Sequence, residues 1–155
     1  MTDTFLHVAG LLLFGCLAAL ALPGCAKEER SGVPPACRQG ERAVRDALRA
    51  APGDVRLDGT PLSACLADES DAAELADVGT AFVNAAAELA ETAAQDPGGD
   101  EATQLGYLMG ATQRGVREYQ GVNAELVRRL EQETLIVRGR SQAFRRGERA
   151  GLRGG

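Results

Sequence analysis

The sequence has no tryptophan, two tyrosines and four phenylalanines among 155 residues, and its one histidine is His7. With so few aromatics, a core must close on small and aliphatic side chains in closely spaced helices rather than on large aromatic wedges. His7 lies in an apolar leader, so the chain beyond it contains no imidazole. That excludes Ser-His-Asp and Cys-His catalysis, histidine-ligated zinc and any histidine general base. There is also no GxSxG, no glycine-rich phosphate loop ending in Lys-Ser or Lys-Thr, and no GxGxxG following a strand. The paired carboxylates Asp68-Glu69 and Asp100-Glu101 stand where helix starts favour negative charge. No enzyme is expected, and no cofactor or metal.

Lysine is nearly absent too: of 17 basic residues all but Lys27 are arginine. From Ala26 to Val137 there are 11 basic and 20 acidic residues; from Arg138 to Gly155 there are six arginines and one glutamate. An acidic body is followed by a basic tail.

Basic residues are missing from the first seven positions, MTDTFLH, which lead into an apolar run from Phe5 to Leu22 interrupted only by His7. A helix apolar on every face has no surface to show to water, so this run reads as a secretory or membrane segment. It ends in Leu22-Pro23-Gly24-Cys25 and gives way at once to the charged AKEER. This junction resembles the lipobox of bacterial lipoproteins, with an aliphatic residue at −3, a small residue at −1 and then the cysteine. The resemblance implies acylation of the Cys25 thiol, cleavage after Gly24 and acylation of the new amine. Several acyl chains, at about 0.8 kcal/mol per buried methylene, would hold a domain on the extracytoplasmic face of the cell membrane. Cleaved secretion without lipid, and an uncleaved signal anchor, remain as alternatives. An uncleaved anchor would leave Lys27, Arg30 and the domain inside the cell, because basic flanks stay cytoplasmic.

The expected organisation is a signal peptide over 1–24, a lipidated tether over 25–36, a helical domain over 37–137 and a basic, disordered tail over 138–155. Helices are predicted over 37–51, with Glu41 and Arg45 as an i,i+4 pair, and over 61–67, with Thr60 as cap and Pro61 at the first position. A third is predicted from a Ser70 or Asp71 cap to Gln95, with Leu75, Val78, Phe82, Ala86, Leu89 and Ala93 along one face. Asp96-Pro-Gly-Gly-Asp100 breaks the chain and turns it back. A long helix over 101–137 follows, on the three-four steps of Leu105, Met109, Thr112, Val116, Tyr119, Asn123, Leu126, Leu130, Glu133 and Val137. Its glycines, Gly106, Gly110, Gly115 and Gly121, are expected where the alanine-rich preceding helix comes close. The fold class is all-α: a small three- to four-helix bundle with a long antiparallel hairpin.

Cys37 and Cys65, the remaining thiols of an exported domain, are expected to form a disulfide. Closing that loop stabilises by about 3 to 4 kcal/mol in the chain-entropy model. Asn123 and Glu133 interrupt the apolar stripe. They either fix register and mark the end of the core, or line a polar groove with Tyr119 or Tyr107 beside them. With the lipobox resemblance, the expectation is a cell-envelope lipoprotein acting as an interaction or scaffold module, its partners the membrane through the anchor and an envelope protein or anionic wall polymer. Nucleic acid is not expected. A small-ligand or metal-binding protein is the alternative.

Overall fold

The computed structural model describes residues 32–66, 71–116 and 121–155. It is an all-α bundle of four helices with a disulfide-closed cap packed along its side, and the cap holds the one sheet among the described residues. Cys25, Tyr119 and the leader lie outside the described residues.

The cap begins with Val33, which is fully buried and whose N–H donates to Glu74 Oε2 at 3.0 Å. Val33 belongs to the tether predicted over 25–36, so the end of that segment is packed into the core instead of standing off it. A single 3-10 turn follows (Pro35–Arg38), then α1 (Glu41–Leu48). This helix is shorter than the 37–51 prediction because Gly40, at φ +81°, separates it from the preceding turn. The expected Glu41–Arg45 pair closes at 2.6 Å. Val55 and Leu57 both point into the core, as their alternation implies, and Asp58-Gly59 turns the chain with positive φ at both residues. That turn joins β1 (Arg56–Leu57) to β2 (Thr60–Pro61), antiparallel with Arg56 opposite Pro61. Thr60-Pro61 is therefore a strand and not a helix cap, since a hairpin turn of two left-handed residues sends the chain straight back. A second 3-10 turn (Leu62–Leu66) carries Cys65, which bonds to Cys37 across a Cα–Cα distance of 5.5 Å.

The bundle starts at α2 (Ala72–Gln95), capped by the Asp71 carboxylate, which accepts from the Ala73 N–H at 2.7 Å. All six residues of its predicted face are buried. The 96–99 turn reverses the chain into α3 (Asp100–Gly115), with Asp100 and Glu101 in the first turn. Here the single long helix gives way to two: Val116 is extended (φ −81°, ψ 104°), and α4 (Gly121–Arg138) starts at Gly121 with φ +53°. Asn123, Leu126, Leu130 and Val137 still face inward, because reversing the chain at that point preserves the three-four stepping on both sides.

The tail is not disordered. It forms α5 (Gln142–Gly154), capped by Ser141, whose Oγ accepts from the Phe144 N–H at 2.9 Å and donates to the Pro97 carbonyl at 2.5 Å. Phe144 is fully buried, and Ala143, Gly147, Ala150 and Gly151 line the same face. The sequence offers little apolar side chain here, but burial is achieved through backbone contact. Helices α3 and α5 run parallel and make the most extensive contact in the molecule. Helices α2 and α4 are also parallel, with Gly79 against Leu126 near one end and Arg140 Nη2 donating to the Ala94 carbonyl at 3.4 Å near the other. The bundle thus runs up, down, up, down.

Candidate functional site

The glycines of α3 and α5 form an interlocked seam. A Cβ at Gly106 would collide with the Phe144 carbonyl, and one at Gly110 with the Glu148 carbonyl. From the other side, a Cβ at Gly147 would meet the Thr103 carbonyl and one at Gly151 the Tyr107 carbonyl. Close approach was expected against the alanine-rich helix α2; the partner is α5, because only another run of small residues at four-residue spacing lets two backbones touch. Gly115 is pressed in the same way on the Ser63 carbonyl of the cap, and Ser63 Oγ donates to the Gly155 carbonyl. Tyr107 sits inside this closed half. Burial pushes its phenol above the ordinary value, and the Val55 backbone opposes that shift.

The other helix pair leaves an opening. Between α2 and α4 lies a groove of about 490 Å³ floored by Gly79, Val83, Val122 and Leu126. Glu125 and Arg129 stand at its rim. Glu125 Oε1 accepts from Arg128 Nη2 and from Arg129 Nε, both at 2.7 Å. Hydrogen bonds from these two guanidiniums lower the Glu125 carboxyl to about 2. The groove has an apolar floor and a charged lip, which suits an amphipathic partner better than a small polar ligand.

The polar groove suggested by the sequence is not assembled among the described residues. Asn123 is buried near the start of α4, and Glu133 is half-buried ten residues later, about 15 Å along the helix. Tyr107 lies in the α3 seam. Neither Asn123 nor Glu133 lines the α2/α4 groove, and of its lining residues only Leu126 belongs to a stripe that the sequence predicts.

Two further cavities are bordered by charged side chains. One, of about 610 Å³, is crossed by the Arg45–Glu88 pair at 2.6 Å. The other, of about 470 Å³, lies beside Cys37 and is bordered by Arg38, Glu74 and Asp77, with Arg38 paired to Glu74 at 3.1 Å. Acidic side chains outnumber basic ones in both linings: Glu88, Glu91 and Glu101 against Arg45 and Arg49 in the first, Glu74 and Asp77 against Arg38 in the second. Among the described residues no cluster of three or more His, Cys, Asp or Glu could hold a metal, and no helix is long and apolar enough to cross a membrane. Cys37 and Cys65 are brought together as expected; both are buried, so the bond is sealed in the core of the cap.

No family model matches the chain, and neither a curated protein nor a solved structure resembles it.

Proposed function

We propose that the chain is a lipid-anchored lipoprotein on the extracytoplasmic face of the cell membrane, and that its helical domain is a non-enzymatic interaction module. The observation that carries this reading is the Leu22-Pro23-Gly24-Cys25 junction standing ahead of a domain closed by the buried Cys37–Cys65 disulfide. Such a bond belongs to an oxidising compartment, on the side of the membrane where a lipobox cysteine is anchored. The open apolar groove between α2 and α4 supports the interaction part of the reading, since it is shaped to receive another apolar surface.

Metabolic labelling with a fatty-acid analogue, in wild type and Cys25→Ser, tests the anchor. Label is expected on the wild type and not on the variant; equal labelling of both, or none on either, overturns it. Freshly isolated protein run with and without reductant should shift in mobility as the Cys37–Cys65 loop opens. Free thiols at both positions would instead place the domain on the cytoplasmic side of an uncleaved anchor.

A further inference from the structure

Helix α5 is two-faced. Opposite its buried small residues stand Arg145, Arg146, Arg149 and Arg153. By helical spacing Arg145, Arg149 and Leu152 form one line, and Arg146, Arg149 and Arg153 another. Leu152 is 42% exposed between them. None of the four arginines has a carboxylate within ion-pair distance among the described residues, and the helix's one acid, Glu148, is taken by Arg138 at 3.3 Å. Elsewhere most described arginines have a carboxylate partner: Arg38 with Glu74, Arg45 with Glu41, Arg49 with Asp46, Arg56 with Asp54, Arg128 and Arg129 with Glu125; Arg42, Arg114 and Arg140 form no ion pair among the described residues, but they do not share one helix face. Positive charge is therefore left uncompensated over about 12 Å of one helix face, from Arg145 to Arg153.

We propose that this face is a second membrane contact, its guanidiniums binding the phosphates of an anionic bilayer surface. The proposal rests on the lipid-anchored reading for the surface it meets. Arginine presents a planar fork that matches phosphate oxygens in pairs, which a lysine stripe would not do. Leu152, among the arginines, is placed to enter the boundary between headgroups and acyl chains. The rest of the domain is acidic and is repelled by an anionic surface, so α5 is the side that approaches. The eight Cα–Cα steps from Cys25 to Val33 reach at most about 28 Å. A polymeric phosphate offers the same oxygens but no apolar phase for Leu152.

The test is vesicle co-sedimentation of a chain beginning at Ala26. That chain keeps the cap, the disulfide and all four bundle helices, which hold every core contact described above, and it has neither leader nor Cys25. Binding is expected to phosphatidylglycerol-containing vesicles and not to pure phosphatidylcholine, with release by salt. At about 1 kcal/mol per basic residue, R145Q with R149Q weakens partitioning about thirtyfold, while R145K with R149K keeps most of it. Leu152→Ser also weakens it. Unchanged circular dichroism of these exposed-face variants separates lost binding from lost folding. Absent binding, equal binding to phosphatidylcholine, or binding indifferent to the glutamines overturns the proposal. So does preference for a soluble poly(glycerol phosphate) over vesicles of equal phosphate content, which would assign the face to a wall polymer. Because fatty-acid labelling at Cys25 does not involve α5, and this assay contains no Cys25, either reading can fail without the other.

Discussion

Helices α3 and α5, and helices α2 and α4, are both parallel pairs in one bundle, but they meet in opposite ways. Along α3 and α5, Gly106, Gly110, Gly147 and Gly151 bring main chain against main chain, so that not even a methyl group fits between them. Along α2 and α4, Gly79 faces Leu126 at ordinary van der Waals distance, and a groove stays open beside them. Glycine in a helix costs about 1 kcal/mol relative to alanine, so a seam of glycines persists only where the close contact offsets that cost. The difference divides the molecule into a closed half, fixed in register by backbone shape, and an open half whose surface can accept another.

Substitutions can break that comparison. Gly106→Ala or Gly147→Ala drives a methyl into a backbone carbonyl that cannot step aside, and should destabilise by about 3 kcal/mol or more in urea titrations. Leu126→Ala removes the floor of the open half. Because the groove already admits solvent, the loss should be at the low end for buried leucine, about 2 kcal/mol. Gly79→Ala, the same chemical change as in the seam, should have the opposite sign. Its methyl has room at 3.6 Å from Leu126 Cδ1, and the helix gains about 0.5 to 1 kcal/mol. If Gly79→Ala and Gly106→Ala shift the urea midpoint alike, the division into closed and open halves is wrong.

The smallest expected effect is at the lip of the groove. Glu125 titrates at about 2 in the folded protein, below the ordinary value of 4.5, so its contribution is complete above about 4.5 and is lost as pH falls towards 2. The exposed pairs with Arg128 and Arg129 are screened by solvent. The thermal midpoint of Glu125→Gln should lie slightly below wild type at neutral pH and converge with it through that window. Added salt should narrow the gap at every pH.

How much of this was legible depended on where the information lay. The α2 face, the Asp71 cap, the 96–99 turn and the cysteine pair were readable because side-chain periodicity, a capping carboxylate and turn residues are local signals. The break after α3 was not. Leu105, Met109 and Thr112 on one side, and Asn123, Leu126 and Leu130 on the other, keep step across it, and periodicity does not register a reversal of the chain. Gly115 and Gly121 were the available signal. Helix α5 was missed because RGRSQAFRRGERAGLRGG shows few apolar side chains to bury, whereas the Ala143, Gly147, Gly151 spacing matches Ala102, Gly106, Gly110 on α3. Comparing the two four-residue series would have paired the helices. The α2/α4 groove could not be read at all, since Val83, Val122 and Leu126 look the same in sequence whether they meet a neighbour or an opening.

The placement of Val33 has a mechanical consequence. If the chain ahead of it is tethered, a pull from that side first loads the Val33 N–H bond to Glu74, and then arrives at Cys37. From there the disulfide carries tension directly to Cys65. The segment between the two cysteines, with α1 and the β1–β2 hairpin, is bypassed and bears none of the load. A force strong enough to strip the first turn from the domain would therefore spend itself on a covalent bond before it could unravel α1.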